Sequence, residues 1–249
     1  MQEESFYIGS HAASEFGALL QSSYSVSGSA ITQNYVVSCT GSRITPCSTL
    51  YGLRTISLPI DIYGDTPEDA AAKRSALTAA LLDNPVELYL PDGGIYTALL
   101  EDSGRASPWD VMGCLLSCTY TLAGYKHGPL ETVIADALND TILFFAAGNA
   151  PHMECRLVAV ASSTAVKTVA VKISYPDGGS CTVTGLQTGD TVIVDGLEKQ
   201  VLVNGQNAFQ NVTAISGWPT VSPGENRISV PSDGNTRHSY TIEYYPIFV

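Results

Sequence analysis

Apolar and polar residues alternate cleanly from Arg54 to Ile62. Ile56, Leu58, Ile60 and Ile62 share one face, and Thr55, Ser57, Pro59 and Asp61 share the other. A period of two predicts a half-buried strand. Pro59 has no N–H for a ladder, which places it at an edge or a bulge. The period then changes. Thr66 is a predicted N-cap, Pro67 suits the first helical position, and Glu68 and Asp69 favour the positive end of the helix dipole. Leu77, Ala80 and Leu81, with Ala70 upstream, form a short apolar stripe, and Asn84-Pro85 ends the helix. Alternation returns with Val86, Leu88 and Leu90 against Glu87 and Tyr89. It turns at Asp92-Gly93-Gly94 and resumes at Ile95, Thr97 and Leu99. The loop around Gly104 to Trp109 leads to a further strand over 113–122. One helix laid on a sheet, an α+β core, is the expectation for this half.

The flanking segments are read the same way. Residues 6–20 predict a short strand, a turn and a second short strand. Residues 24–41 are polar apart from a strand-like NYVVSC, and 42–50 read as loop because of Pro46. Residues 132–138 fit either a strand or a helical turn. Gly148-Asn149-Ala150-Pro151 breaks the pattern, so a domain boundary is expected there, giving 1–148 and 149–249. Beyond it the chain is β throughout. Val169, Val171, Ile173 and Tyr175 alternate, and Pro176 to Gly179 repeats the earlier PDGG turn. Asp190–Val194 and Gln200–Val203 flank a predicted hairpin at Asp195 to Lys199. Turns follow at Asn204-Gly205 and Ser222 to Asn226, and the last strand covers Tyr240 to Phe248. Short strands about ten residues apart predict a β-sandwich or jelly roll.

Composition narrows the function classes. The 249 residues are 45% hydrophobic and only 14% charged, with a net charge of −12. That supports real cores and a soluble acidic surface, and it lacks the basic footprint of a sequence-specific nucleic-acid binder. The N-terminus has neither a basic region nor an apolar run, which predicts no signal peptide, and no stretch is long enough to span a membrane. The chain is expected to be cytosolic when made.

No P-loop, GxGxxG, HExxH or GxSxG occurs, so neither cofactor nor catalysis is expected. Cys39, Cys47, Cys114, Cys118, Cys155 and Cys181 form no CxxC and are expected to be reduced, small core residues. On a strand, Cys114 and Cys118 lie about 13 Å apart, too far for one zinc. His11, His127, His152 and His238 show no metal-ligand spacing. Asp190 with Asp195, and Glu101 with Asp102, are the nearest carboxylate pairs for glycoside hydrolysis, but short acidic side chains beside glycines serve turns. The sequons at Asn139 and Asn211 carry no weight without secretion. Trp218, in SGWPTVSPGEN, is the one candidate for stacking on a sugar or contacting a partner. Packing at a sandwich rim against Pro219 or Pro223 is the simpler reading.

The order of the motifs then matters. Phe6-Tyr7-Ile8-Gly9 followed by Glu15-Phe16-Gly17-Ala18 resembles the start of the distal tail proteins of long-tailed bacteriophages and prophages, the Dit family. Arg54 to Ile60, the helix, Glu87 to Asp92 and Tyr96 to Leu100 are similar to that family's central block. Gly189 to Gly196, Val203-Asn204-Gly205, Trp218-Pro219, Ser222 to Ile228 and Tyr244 to Phe248 resemble its C-terminal sandwich. Gly41-Ser42-Arg43 is at best a variant of the family's PGR, and 124–146 fits less well. The resemblance implies a mainly β protein. Its N-terminal domain, one helix on a sheet or barrel, builds a ring, and its C-terminal domain is a galectin-like sandwich.

It further implies a structural role in the virion tail tip, with assembly in the host cytoplasm. The ring is a homo-hexamer joining the tail tube to the tail-tip hub. The tape measure and receptor-binding proteins are further partners, and DNA passes through the lumen. An acidic lumen is expected to let DNA slide. Residues 22–50 and the Pro59 edge strand are expected to pair with a neighbouring subunit. The alternative is a free-standing carbohydrate-binding or adhesin protein that depends on Trp218.

Overall fold

The computed structural model describes residues 6–41, 43–83, 85–136, 141–162, 169–175, 179–229 and 239–249. Asn84, His238, the Asn139 sequon and most of the second PDGG turn lie outside them. The chain divides into two units, residues 1–127 with Val249 and residues 128–248. The boundary expected at 148/149 falls inside the second unit. Gly148 to Pro151 is a corner of the sandwich: Gly148 takes φ +100° and the Asn149 N–H donates to Ile247 O at 2.9 Å.

The first unit is a curved antiparallel sheet with one helix. Its strands are β1 (Tyr7–Ile8), β2 (His11–Ala12), β3 (Ala18–Leu20), β4 (Ser25–Val26), β5 (Ile31–Val37), β6 (Ile44–Tyr51) and β7 (Arg54–Tyr63). After helix α1 (Pro67–Leu81) come β8 (Val86–Tyr89), β9 (Ile95–Asp102), β10 (Ser107–Pro108) and β11 (Leu115–His127). The order across the sheet is β2-β1-β8-β9-β11-β7-β3, with β4 also on β7 and β10 on β11. A single 3-10 turn, Ala13–Phe16, joins β2 to β3 and is closed by Gly17 at φ +61°. The sheet curls until its two ends flank one cleft of about 450 Å³, lined by Phe6 and Tyr7 from one end and Ala18 and Leu20 from the other.

The alternation in β7 is realised. Ile56, Leu58, Ile60 and Ile62 are fully buried, as are Leu77, Leu81, Leu88, Tyr120 and Leu122 in the same cluster. Pro59 accepts from the Gln21 N–H at 2.9 Å on the side where β3 and β4 leave β7 only partly covered. Its missing donor therefore faces a gap and no ladder bond is lost. The helix starts where the sequence places it. The Thr66 hydroxyl accepts from the Asp69 N–H at 3.1 Å, and Ala70, Leu77 and Leu81 are its buried face. Thr78 Oγ1 meets the Tyr120 hydroxyl at 2.9 Å, and the Arg74 guanidinium donates to Gly104 O at 2.9 Å. Gly64 is required where the chain turns into the helix, because a Cβ there would lie 2.3 Å from Ala70 N.

Four sequence expectations change in this unit. β7, with Pro59, is not an edge strand: it pairs with β11 on one side and with β3 and β4 on the other. In β9 the buried face is Tyr96 and Ala98, not Ile95, Thr97 and Leu99. Residues 42–50 are not loop: Ile44–Tyr51 is a strand paired with β5 from Ile31↔Tyr51 to Val37↔Ile44. Pro46 is accommodated at a bulge, where the register shifts between Asn34 and Tyr35. The last strand is also longer than expected and runs on to His127.

The second unit is a sandwich of two antiparallel sheets. One contains β12 (Glu131–Asp136), β14 (Met153–Val160), β17 (Thr191–Asp195), β18 (Gln200–Val203), β19 (Gln206–Asn207) and β23 (Ser239–Tyr244), with β21 (Thr220–Val221) attached to β14. The other contains β13 (Thr141–Ala146), β15 (Val169–Ser174), β16 (Ser180–Leu186), β20 (Val212–Ile215) and β22 (Gly224–Ser229). β12 and β13 pair with β23 and β22. That resolves the 132–138 ambiguity as strand through Asp136 and assigns both strands to the sandwich. Leu157, Val192, Val194 and Ile242 from one sheet, with Val171, Ile173, Val183 and Ile228 from the other, are fully buried or nearly so.

Truncating the helix tests this core. Leu77→Ala is expected to cost about 2–5 kcal/mol and Thr66→Ala about 1 kcal/mol. Denaturant unfolding of both variants measures it; a Leu77→Ala protein as stable as the parent contradicts the packing.

Candidate functional site

The feature with least local explanation is the β5–β6 hairpin. Every described residue of both strands is exposed, yet it carries Ile31, Tyr35, Val36, Val37, Ile44, Leu50 and Tyr51. Tyr35, Val36 and Ile44 are 58%, 60% and 66% exposed. Its root is fixed. Ser27 and Thr55 exchange bonds of 2.9 Å (Ser27 N–H to Thr55 O) and 2.8 Å (Thr55 N–H to Ser27 Oγ). The Arg54 guanidinium donates to Ser27 O at 3.1 Å. A two-stranded hairpin alone is marginal in water, and this one has apolar side chains on both faces. Arg43 is the one charged residue between Ile31 and Tyr51.

A second exposed apolar feature escaped the sequence reading, which took this segment as plain loop. In the β10–β11 connection Trp109, Val111 and Met112 are 77%, 106% and 76% exposed. Their loop is held by the Asp110 carboxylate, which accepts from the Leu115 N–H at 3.1 Å. The signal was present as three large apolar residues around an Asp and a Gly, without any period to mark them.

Of the carboxylates considered for catalysis, Asp190, Asp195 and Asp102 are engaged in turns, and Glu101 is an exposed residue of β9. Asp190 accepts from the Gln187 N–H at 2.7 Å and the Asn204 amide at 2.9 Å. Asp195 accepts from the Leu197 and Glu198 N–H groups at 2.9 and 3.1 Å and faces the Arg156 guanidinium at 3.8 Å. The Asp102 carboxylate accepts from the Gly104 N–H at 2.9 Å. His11 pairs with Glu15 at 3.0 Å, and buried His127 meets Thr97 at 3.1 Å. No group of three or more His, Cys, Asp or Glu side chains suited to a metal occurs among the described residues. No described helix is long and apolar enough to cross a membrane.

Trp218 is half-buried, with the Lys199 ammonium 6.0 Å from its ring centroid and Lys199 bonded in turn to Glu154. Pro219 beside it is buried, and its carbonyl accepts from the Cys155 N–H at 3.1 Å. The ring therefore has a cation on one side and part of its surface open. Of the cysteines, Cys118, Cys155 and Cys181 are core residues, but Cys39 and Cys47 are exposed and Cys114 is intermediate. The two exposed thiols belong to the hairpin segment, where no core exists for them to join. Burial pushes the Cys181 thiol up to about 11 and raises that of Cys118.

Residues 153–248 match the family model described as the siphovirus-type tail component, C-terminal domain. No curated protein matches by sequence. Among solved structures the whole chain is similar to the Dit protein of phage SPP1, described as a paradigm of the hub adsorption apparatus in phages infecting Gram-positive bacteria. The TM-score is 0.72 and the identity 15%, over 98% of this chain and 99% of that one. A chain of the phage p2 baseplate, in its activated conformation with strontium, gives a TM-score of 0.53 and 11% identity over 99% of both chains. At these identities the structural likeness is one of fold.

Two outcomes follow from the titrating groups. Native labelling with iodoacetamide at pH 8 is expected to modify Cys39 and Cys47 quickly and to leave Cys118, Cys155 and Cys181 unmodified until unfolding, as read by peptide mass; early labelling of Cys181 contradicts its burial. The Asp110 and Asp190 carboxylates are both held below their ordinary value, first by backbone donors, from Leu115 and Gln187 respectively. A depressed folded pKa gives stability above the unfolded value of about 3.9 and loses it as pH falls through the folded one. The melting temperature should hold from pH 7 to about 5 and fall below about 4, with a shallower fall in Asp190→Asn.

Proposed function

We propose, for a chain whose C-terminal domain belongs to the siphovirus-type tail components and whose fold is that of Dit, that it assembles as a hexameric ring at the tail tip. There it would join the tail tube to the hub and receptor-binding apparatus. On this reading the chain is a Dit-type structural protein of the tail with no catalytic step of its own, and DNA would pass through the lumen of the ring. The observation that carries it is the β5–β6 hairpin, a fixed-root arm of exposed apolar residues that gains burial only against another surface. Its outer edges add the chemistry of strand pairing, since an edge with free N–H and C=O groups templates another chain. A head-to-tail contact of this kind closes into a ring when its rotation permits. A net charge of −12 fits a lumen that repels DNA and lets it slide; a lumen lined by Lys and Arg contradicts that part.

The part-open ring of Trp218 supports a second reading, a monomeric carbohydrate-binding module. Mass photometry with titration calorimetry against simple hexoses separates the two: a ring without sugar heat favours the first, and a monomer with binding abolished by Trp218→Ala the second.

Replacing residues 29–52 by a short glycine-serine linker is expected to convert the ring to monomers, while the second unit and the β7 core stay folded by circular dichroism. An intact hexamer after that deletion sinks the arm as the inter-subunit contact.

A further inference from the structure

Resting on the tail-tip reading, we propose that the loop Trp109–Gly113 is a docking knob for a different protein of the tail, one whose receiving pocket is apolar and rimmed by lysine or arginine. The side chains are the first argument. Trp and Met are enriched at the centres of protein interfaces, where buried anchors dominate the binding energy. Here Trp109, Val111 and Met112 all project into solvent.

The second argument is preorganisation. The Trp109 N–H donates to Leu115 O at 2.9 Å, and the Gly113 N–H donates to Asp110 O at 3.3 Å. The Asp110 side chain accepts from the Leu115 N–H at 3.1 Å. Gly113 takes φ +74°, a conformation that admits glycine readily. The base of the loop rests on the start of α1: a Cβ at Gly113 would lie 3.7 Å from Pro67, and Cys114 Sγ contacts Asp65 O at 3.8 Å. A tip held in one shape loses little entropy on binding.

Charge selects the occupant. The loop carries Asp110 and its base contacts Asp65 and Pro67, where a helix begins whose first turn carries Glu68 and Asp69. Of these, Asp69 pairs with Lys73 at 2.8 Å. Arg105, beyond β10, is the one cation between residues 103 and 113. The first turn of α1 contributes only partial positive charge against these carboxylates. A second copy of a chain with 24 acidic and 12 basic residues makes a poor partner for such a rim. An anionic membrane is likewise repelled. A basic-rimmed apolar socket on another protein is complementary to both the tip and its border.

The test is made in assembled phage tails. Val111 is replaced with p-benzoylphenylalanine, the particles are irradiated, and the adduct is identified by peptide mass. A single adduct to another tail protein, in a peptide flanked by Lys or Arg, is expected. The double variant Trp109→Ser with Met112→Ser should enter tails at least about tenfold less well, while the purified variant self-assembles as the parent does. Adducts only to a second copy, no adduct, parent-like incorporation of the double variant, or absence of the chain from tails each overturn the proposal. The ring reading fails separately: a purified chain that stays monomeric while the adduct still forms refutes the hexamer and leaves the knob standing.

Discussion

The burial of one face of β7 is the constraint on which the first unit depends. Ile56, Leu58, Ile60 and Ile62 lie at the centre of the curved sheet, and α1 closes over them through Leu77 and Leu81. The same strand carries the root of the arm, because Arg54 and Thr55 hold Ser27 in place. A register slip of one residue in β7 would turn its four isoleucine and leucine side chains to solvent and break the arm's anchor at once. Core packing and arm placement are thus fixed by one pattern of alternation.

The two exposed features differ in how they sit on this scaffold. The hairpin projects as a two-stranded ribbon with its own internal ladder, so its shape is set by backbone hydrogen bonds and its affinity by apolar side chains on both faces. The loop at Trp109 has no ladder beyond β10, and its shape is set by one carboxylate and one glycine. Strand-edge recognition tolerates variation in side chains, because the main chain supplies much of the contact. A knob read by three side chains does not. A chain that presents both can combine a contact repeated around identical subunits with a contact specific to one unlike partner.

Much of the core was legible in the sequence. The period of two in β7 and β8 named the buried residues, whereas in β9 it picked the wrong face, since Tyr96 and Ala98 are buried and Leu99 is exposed; Thr66-Pro67 with its following acids marked the helix start to the residue. What periodicity could not show was any element that buries nothing. β6 reads as loop because Pro46 interrupts it and because neither face of the hairpin is consistently polar; a ribbon with both faces exposed leaves no alternation to find. The boundary after His127 was hidden for a related reason. β12 and β13 belong to the sandwich by long-range pairing with β23 and β22, whereas Gly148 to Pro151, the strongest local break, only turns a corner inside it. Trp218 was visible as a lone aromatic, but Lys199 at its ring is a contact 19 residues away in sequence (218 against 199) that no local pattern announces.

The scarcity of charge ties these observations together. With only 14% charged residues, this chain spends its few acidic groups on geometry: Asp92 accepts from the Gly94 N–H and the Tyr96 hydroxyl, Asp110 staples the loop, and Asp190 and Asp195 hold turns of the sandwich. A free monomer selected for solubility would place charges on its exposed apolar elements. The arm instead carries Arg43 alone, at its tip. Leaving a segment of 21 residues (31 to 51) nearly uncharged while every described residue of its strands faces solvent is costly for an isolated chain. It is economical for one whose exposed surfaces become interior on assembly, which is what the proposed ring would require of the arm.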